Sequence, residues 1–240
     1  MQYPGLDHWA WVLNIDRMEW QFYGRDAVLI RFAERIGDEA FGRSRALIQE
    51  LESRPPPGMV EFAPAFTTLL LEFDPEAELE IADMMPELLN RLQQAATKEV
   101  PPATLHEIPL VYNGPDLERV AQTNHLTIET VCRLHSDPEY KVYFLGFAPG
   151  FPYLGDLDTR LRTPRLASPR LRVPPGSVAI GGEHTGIYPL ETPGGWNIIG
   201  HTAVSLFDLS RKEDHEDEAN VFLLRPGDRV KFIPAAIETS

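Results

Sequence analysis

Residues 140–202 read YKVYFLGFAPGFPYLGDLDTRLRTPRLASPRLRVPPGSVAIGGEHTGIYPLETPGGWNIIGHT. This stretch holds 10 of the 17 glycines and 8 of the 22 prolines of the chain. Glycine adopts backbone conformations that other residues resist, and proline fixes φ while it removes a hydrogen-bond donor. Such a density of both residues predicts short strands joined by specified turns, where binding sites are often built.

The charge balance singles out the same stretch. Its net charge is +2, whereas the whole chain of 240 residues has a net charge of −14. Inside this stretch, one run of 13 residues contains five arginines, namely Arg160, Arg162, Arg165, Arg170 and Arg172. Because the planar guanidinium group recognises carboxylate or phosphate through paired hydrogen bonds, the cluster indicates an anionic ligand or partner. The alternative is that these arginines pair with acidic groups of the same chain.

The overall composition excludes several classes of protein. An acidic chain is a poor nucleic-acid binder, since neutralising phosphates requires a broad basic surface. No apolar run reaches the roughly 20 residues of a membrane span, and charged residues interrupt the N-terminus where a signal peptide would need an apolar core. The single cysteine, Cys132, rules out an internal disulfide. We therefore expect a cytoplasmic protein that binds neither nucleic acid nor membrane.

The pattern of apolar residues predicts three parts. Residues 1–24 form an aromatic-rich extension, which we expect to pack on the body or on a partner. Residues 25–105 give the order strand–helix–strand–strand–helix–strand, with a helix over 38–53 and a last strand over 104–112. This order is typical of a ferredoxin-like α+β domain.

Residues 106–240 predict a mainly β barrel domain that follows two short helices, the second capped by Thr127. Late strands are expected over 177–182, 197–207 and 220–233. The charged segment 211–219, RKEDHEDEA, is interpreted as a solvated loop, and metal binding through His215 is the less favoured alternative. No metal site is predicted.

Two motifs of the stretch are candidates for a functional site. GFAPGFPYLG (146–155) lacks the Gly-Lys-Ser/Thr of a phosphate loop, and it either presents Phe151 and Tyr153 on a rigid ledge or forms a tight strand-to-loop crossover. In YPLETPGGW (188–196), the glycines and prolines would hold Tyr188 and Trp196 outward. Glu191 paired with His201 or His135 would supply general acid–base chemistry, if these side chains meet in space.

The ordered motifs GFAPGFPYL, PRLASPR and YPLETPGGW resemble the subunit 1 family of allophanate hydrolase. That family also holds the B subunit of bacterial 5-oxoprolinase and an inhibitor of a sporulation sensor histidine kinase. The resemblance extends over about 27–234 and is densest over 135–202. It implies a small N-terminal α+β domain and a C-terminal cyclophilin-like β-barrel.

The resemblance also implies partners and a reaction. The partners are a protein of the allophanate hydrolase subunit 2 type, similar to the C subunit of 5-oxoprolinase, and a lactam-binding protein similar to the A subunit of that enzyme. The assembled complex would use ATP to open 5-oxoproline to glutamate, by phosphorylating the lactam oxygen so that water can attack. On this basis the chain is one component of an ATP-dependent hydrolase and is inactive alone.

Site residues follow from the positions inside the matching motifs. Arg165 and Arg170 would meet phosphate or carboxylate, and Phe151, Tyr153, Tyr188 and Trp196 would line the pocket. Glu191, His135 and His201 would manage protons. The backbone would be shaped by Gly146, Pro149, Gly150, Pro174, Gly194 and Gly195.

Two other functions share the same motifs. One is a non-enzymatic inhibitor of a sensor histidine kinase. The other is a carboxyltransferase subunit in a system of the allophanate hydrolase or urea amidolyase type, which would need a biotin carrier because this chain has no Met-Lys biotinylation site.

Overall fold

A computed structural model describes residues 18–99, 102–212 and 221–236. The chain divides into two compact units, residues 1–100 and 101–240. Most of the aromatic extension and of the charged segment 211–219, including His215, lies outside the described residues. Within the described part, no helix has the length and apolarity that crossing a membrane requires.

The described part of the first unit has four strands and two helices. They are β1 (Glu19–Phe22), β2 (Ala27–Arg31), α1 (Asp38–Ser53), β3 (Met59–Pro64), β4 (Thr68–Phe73) and α2 (Ile81–Ala95). The strands form one antiparallel sheet in the order β1-β2-β4-β3. Alternate residues of β2 and β4, such as Val28, Ile30 and Leu71, are buried against apolar faces of both helices. The helix predicted over 38–53 is confirmed at both ends.

The ferredoxin-like topology is not confirmed. The last strand that it requires, expected over 104–112, exists as β5 (Leu105–Leu110), but it belongs to the second unit. There it lies parallel to a C-terminal strand, β13 (Arg229–Pro234). The edge beside β2 is occupied instead by β1, whose Trp20 packs against the core of the first unit.

Before β13, the described residues of the second unit form two α-helices and seven further strands. They are α3 (Leu117–Thr123), α4 (Ile128–Ser136), β6 (Glu139–Leu145), β7 (Pro152–Gly155), β8 (Arg170–Val173), β9 (Ser177–Gly181), β10 (His184–Ile187), β11 (Thr192–Gly194) and β12 (Asn197–His201). The main sheet has the order β12-β9-β10-β7-β6-β13-β5, and β8 pairs with β11 in a separate ribbon. The predicted cap of α4 is confirmed, since the Thr127 hydroxyl accepts a hydrogen bond from the Thr130 N–H at 3.2 Å.

The seven-stranded sheet curls so far that the ends of its two edge strands touch at one point. Val111, directly after edge strand β5, exchanges backbone hydrogen bonds of 3.0 and 2.9 Å with His201 at the end of the other edge strand. The unit is thus a mixed α/β fold with a curled, half-barrel sheet. Two predicted strands are shorter than expected: 197–207 ends at His201, and 220–233 is a strand only from Arg229.

Candidate functional site

The two faces of the curled sheet carry different side chains. Along β9, Val178 and Ile180 join one buried cluster whereas Ala179 joins another. Ile199 and Ile198 of β12 divide in the same way. Because successive strand residues point to opposite faces, the two clusters lie on opposite sides of the sheet. We call the side that packs against α3 and α4 the helix face, and the opposite side the aromatic face.

A cavity of about 340 Å³ opens on the aromatic face. Its lining comes mostly from the motifs that carry the family resemblance. The lining residues are Phe147, Phe151, Tyr153, Arg165, Leu166, Pro169, Tyr188, Pro193, Gly194, Gly195 and Trp196. The fold therefore brings together five of the six side chains predicted to bind substrate or an anion, together with two of the predicted backbone glycines.

Aromatic rings in edge-to-face contact form the wall of the cavity. Phe151 is central, since its ring centroid lies 5.1 Å from Tyr188, 5.4 Å from Trp196 and 5.3 Å from Tyr153. Their interplanar angles of 64–85° match the favourable electrostatics of edge-to-face pairs. Phe147 extends the wall toward solvent and is 61% exposed. Phe151, Tyr188 and Trp196 are only 2%, 2% and 6% exposed, so the expectation that these rings are held outward is wrong. The segment 146–155 includes the tight crossover from β6 to β7, and its Phe151 packs in the floor of the cavity.

Glycines let the rings approach the backbone. A Cβ atom at Gly194 would lie 2.3 Å from the Tyr188 hydroxyl, and one at Gly181 would lie 2.4 Å from the Trp196 indole. The adjacent Gly195 has more room, since its nearest neighbour would be Pro169 at 3.6 Å. Glycine is therefore required sterically at Gly194 and Gly181, and less strictly at Gly195.

The other predicted shaping residues lie in turns beside the cavity. Gly146 donates its N–H to the Phe151 carbonyl at 3.0 Å, and Gly150 has a φ of +76°, which favours glycine. Pro149 is exposed in the same turn. Pro174 accepts a hydrogen bond from Ser177 where β8 leads to β9.

Most of the predicted arginine cluster pairs with acidic groups of its own chain. Arg160 pairs with Asp158 at 2.6 Å, Arg162 with Glu183 at 2.7 Å, and Arg170 with Asp116 at 2.7 Å. Arg172 lies 3.7 Å from Glu191, with both side chains largely exposed. Among the described residues, Arg165 has no carboxylate partner within 4.0 Å.

Arg165 instead lies over a wall of the cavity. Its guanidinium carbon is 5.9 Å from the centre of the Trp196 ring, within the range of a cation–π contact. Burial raises the pKa of the Tyr188 hydroxyl on the same wall, so that tyrosine remains a neutral hydrogen-bond donor. The cavity thus offers aromatic faces, a neutral hydroxyl and one cation.

The residues predicted to manage protons do not line this cavity. Glu191 is exposed beside Arg172, and His201 contacts the Pro175 carbonyl at 3.1 Å. His135 is completely buried on the helix face, where its ring stacks on Phe232 at 4.7 Å. Among the described residues, Glu191 makes no hydrogen bond or ion pair with His135 or His201, and the catalytic roles of all three stay predictions.

Both nitrogens of His135 are engaged. Nε2 lies 2.9 Å from the Thr185 hydroxyl, which itself donates to the Ala179 carbonyl, so Nε2 carries the proton and donates to Thr185. Nδ1 then accepts a hydrogen bond from the Tyr112 hydroxyl at 2.8 Å. Burial lowers the pKa of His135 to about 3. The buried, neutral imidazole thus joins Tyr112, just after β5, to Thr185 of β10.

Four lining residues have no role predicted from the sequence, namely Phe147, Leu166, Pro169 and Pro193. All four lie inside the motifs GFAPGFPYL, PRLASPR and YPLETPGGW, so the motifs indicated their position although not their chemistry. Within the described residues, no three His, Cys, Asp or Glu side chains are grouped so that they could hold a metal ion.

Comparison with known proteins supports the resemblance. A family described as the carboxyltransferase domain, subdomain C and D, matches residues 18–215. The B subunit of 5-oxoprolinase from Bacillus subtilis is 40% identical over 225 residues, which cover 88% of this chain and 90% of that protein. The chain belongs to the family that holds allophanate hydrolase subunit 1 and the B subunit of 5-oxoprolinase. The family predicted from the motifs is thereby confirmed.

Solved structures of longer proteins share the fold of this chain. The crystal structure of TTHA0988 is 42% identical with a TM-score of 0.74, and the match covers 89% of this chain and 41% of that one. The urea amidolyase of K. lactis, at 21% identity and a TM-score of 0.72, shares the fold over 95% of this chain and 15% of its own. The chain spans less than half the length of these two proteins.

Proposed function

We propose that this chain is the B-type subunit of an ATP-dependent 5-oxoprolinase complex, which opens the lactam ring of 5-oxoproline to glutamate. The observation that carries the proposal is the likeness to the B subunit of the Bacillus subtilis 5-oxoprolinase along nearly the whole of both chains. The cavity lined by the same motifs supports it, because it offers a bounded site to a small anionic molecule.

Arg165 is the anion-binding group of the proposed site. Its charge has no carboxylate partner among the described residues, whereas Arg160, Arg162 and Arg170 are paired. The Arg165 guanidinium carbon lies 5.9 Å over the centre of the Trp196 ring, and this cation–π contact holds the cation beside the cavity. Tyr153, Tyr188 and Trp196 would contact the apolar part of the ligand.

The cavity does not fit a nucleoside triphosphate. It has one arginine, and neither a glycine-rich phosphate loop nor a helix N-terminus lines it. Several phosphate charges would meet a single cation, with aromatic rings on the other sides. We therefore assign ATP to another component of the complex.

The proposed partners are a subunit 2-type protein, similar to the C subunit of 5-oxoprolinase, and a lactam-binding protein similar to its A subunit. The Bacillus subtilis relative is itself named as one subunit of an enzyme, which supports an assembly. Because His135 is held neutral inside the helix face, we assign it no proton transfer. We propose that acid–base groups come from the partners or from the exposed Glu191 when the complex forms.

Co-expression tests the proposal. The chain is purified alone and together with its A-type and C-type partner proteins, and release of glutamate from 5-oxoproline is followed with and without ATP. Turnover only in the full complex with ATP is the expected result. Turnover by the chain alone, or a complex that forms and does not open the lactam, would contradict it.

The alternatives predict different results in the same preparations. A carboxyltransferase subunit would need a carboxylated biotin carrier as co-substrate and would leave 5-oxoproline unchanged. A kinase inhibitor would lower autophosphorylation of a sensor histidine kinase without either partner. The family description favours the first alternative over the second, and the named Bacillus subtilis relative favours 5-oxoprolinase over both.

A further inference from the structure

We propose that Asp116, which does not line the cavity, is a positioning residue for its Trp196 wall. Asp116 directly precedes α3, and its side chain is 9% exposed. One carboxylate oxygen accepts a hydrogen bond from the Ile198 N–H at 2.7 Å, and the other accepts one from Arg170 at 2.7 Å. The Asp116 N–H donates in return to the Ile198 carbonyl at 2.9 Å.

Arg170 links Asp116 to Trp196 in the wall of the cavity. Its second terminal nitrogen, Nη1, donates to the Trp196 carbonyl at 3.5 Å while Nη2 holds Asp116. Asp116 therefore fixes the backbone on both sides of Asn197, through Ile198 directly and through Trp196 by way of Arg170. This role replaces the anion-binding role predicted for Arg170, whose charge is neutralised by a buried carboxylate.

A second buried side chain, that of Asn197, fixes the backbone next to Arg165. Asn197 has no exposed surface, and its amide donates to the carbonyls of Pro164 at 3.1 Å and of Ile180 at 3.0 Å. Its oxygen accepts a hydrogen bond from Arg119 of α3. Pro164 directly precedes Arg165, so this amide ties the Arg165 segment to the sheet.

Asp116 and Asn197 together fix the position of the Arg165 guanidinium over the Trp196 ring. Trp196 is held through Arg170 and Asp116, and Arg165 is held through Pro164 and Asn197. Since neither Asp116 nor Asn197 reaches the cavity, changing either acts on a ligand only through the position of Arg165 and Trp196. A misplacement of binding groups by about 1 Å is enough to lower activity strongly.

Fluorine NMR on protein labelled with fluorotryptophan tests this positioning without any ligand. The chain has four tryptophans, and the signal that is lost in Trp196→Phe assigns Trp196. In Asp116→Asn we expect the Trp196 signal to shift or broaden while the other three stay in place. Asp158→Asn is the matched control, because Asp158 also accepts from an arginine and from a backbone N–H, but both donors belong to Arg160 and not to the segment of Trp196.

Asp116→Asn leaves the partly buried Arg170 without its carboxylate partner, which destabilises the fold. A second variant, Arg170→Lys, decides the proposal if Asp116→Asn does not fold. Arg170→Lys retains the charge beside Asp116 but loses the fork that reaches the Trp196 carbonyl. We expect this variant to fold and the Trp196 signal to move. An unmoved Trp196 signal in Arg170→Lys overturns the route through Arg170, whatever Asp116→Asn does.

Kinetics of the assembled complex supply a second readout, which rests on the proposed function. Arg170→Lys should raise KM for 5-oxoproline roughly tenfold while kcat changes less than about twofold, because binding groups are displaced. A kcat loss with KM unchanged would overturn positioning of the binding site. If the wild-type complex does not open 5-oxoproline, the proposed function fails, and the NMR result still decides the role of Asp116.

Discussion

The helix face and the aromatic face are built from alternate residues of the same strands, yet they serve different ends. The helix face is filled mostly with aliphatic side chains, together with Tyr140 and Phe232, and the buried His135 has both ring nitrogens paired there. The aromatic face has rings packed on glycines, an open cavity and an arginine without a carboxylate partner among the described residues. The difference teaches that stability and binding can be separated by substitution on one sheet.

The largest effect on stability is expected on the helix face, at His135. His135→Ala removes a ring stacked on Phe232 and leaves the hydroxyls of Tyr112 and Thr185 without their partner. Truncating a buried aromatic side chain and breaking two hydrogen bonds should lower the free energy of unfolding by about 3–5 kcal/mol. Urea denaturation followed by circular dichroism measures this change.

Tyr112→Phe is the control for His135→Ala, because it removes one hydroxyl and keeps the ring. It should cost about 1–2 kcal/mol, as expected for one buried hydrogen bond. If the two variants lose the same free energy of unfolding, packing of the His135 ring contributes nothing to the stability of the helix face.

The pH dependence of stability should reveal the same histidine. The ordinary pKa of His135 is 6.5, and burial lowers its pKa in the folded chain to about 3. Between these values the unfolded chain binds a proton that the folded chain does not, so stability falls as the pH falls from about 6.5 toward 3. Between about pH 7 and about pH 5, this group alone should cost about 2 kcal/mol.

Urea unfolding of the wild type and of His135→Gln at both pH values isolates that contribution, because other titrating groups are common to the two proteins. The wild type should lose more stability on acidification than the variant does. If both proteins lose the same amount of stability, burial does not lower the pKa of His135 in the folded chain.

A smaller loss of stability is expected on the aromatic face, at Gly194. In Gly194→Ala the new methyl group would lie 2.3 Å from the Tyr188 hydroxyl, so the ring must move. Overpacking of this kind costs about 1–3 kcal/mol. Gly195→Ala, where the nearest atom would be 3.6 Å away, should change the free energy of unfolding by less than about 0.5 kcal/mol. A smaller loss for Gly194→Ala than for Gly195→Ala would contradict the close approach of Tyr188.

The sequence predicts much of this architecture, and the failures have physical causes. The apolar spacing over 38–53 defines α1 because a helix is a local structure. The partner of β5 could not be predicted, because its alternation of Ile108 and Leu110 fits an edge of either sheet. Motif spacing located the cavity wall from Phe151 to Trp196, whereas the placement of His135 depended on pairing with Tyr112 and Thr185 from distant elements.

The smallest effect on stability is expected at Arg165, which is exposed, and the same residue tests the central claim most directly. In the reconstituted complex, ATP-dependent glutamate release is measured for the wild type, Arg165→Met and the surface control Arg133→Met. Loss of a charged hydrogen bond to substrate should lower kcat/KM at least roughly tenfold in Arg165→Met, with the free energy of unfolding changed by less than about 0.5 kcal/mol. Arg133→Met should retain wild-type kcat/KM. Equal kcat/KM for all three proteins would contradict the assignment of the aromatic-face cavity as the site where this protein binds its anionic substrate.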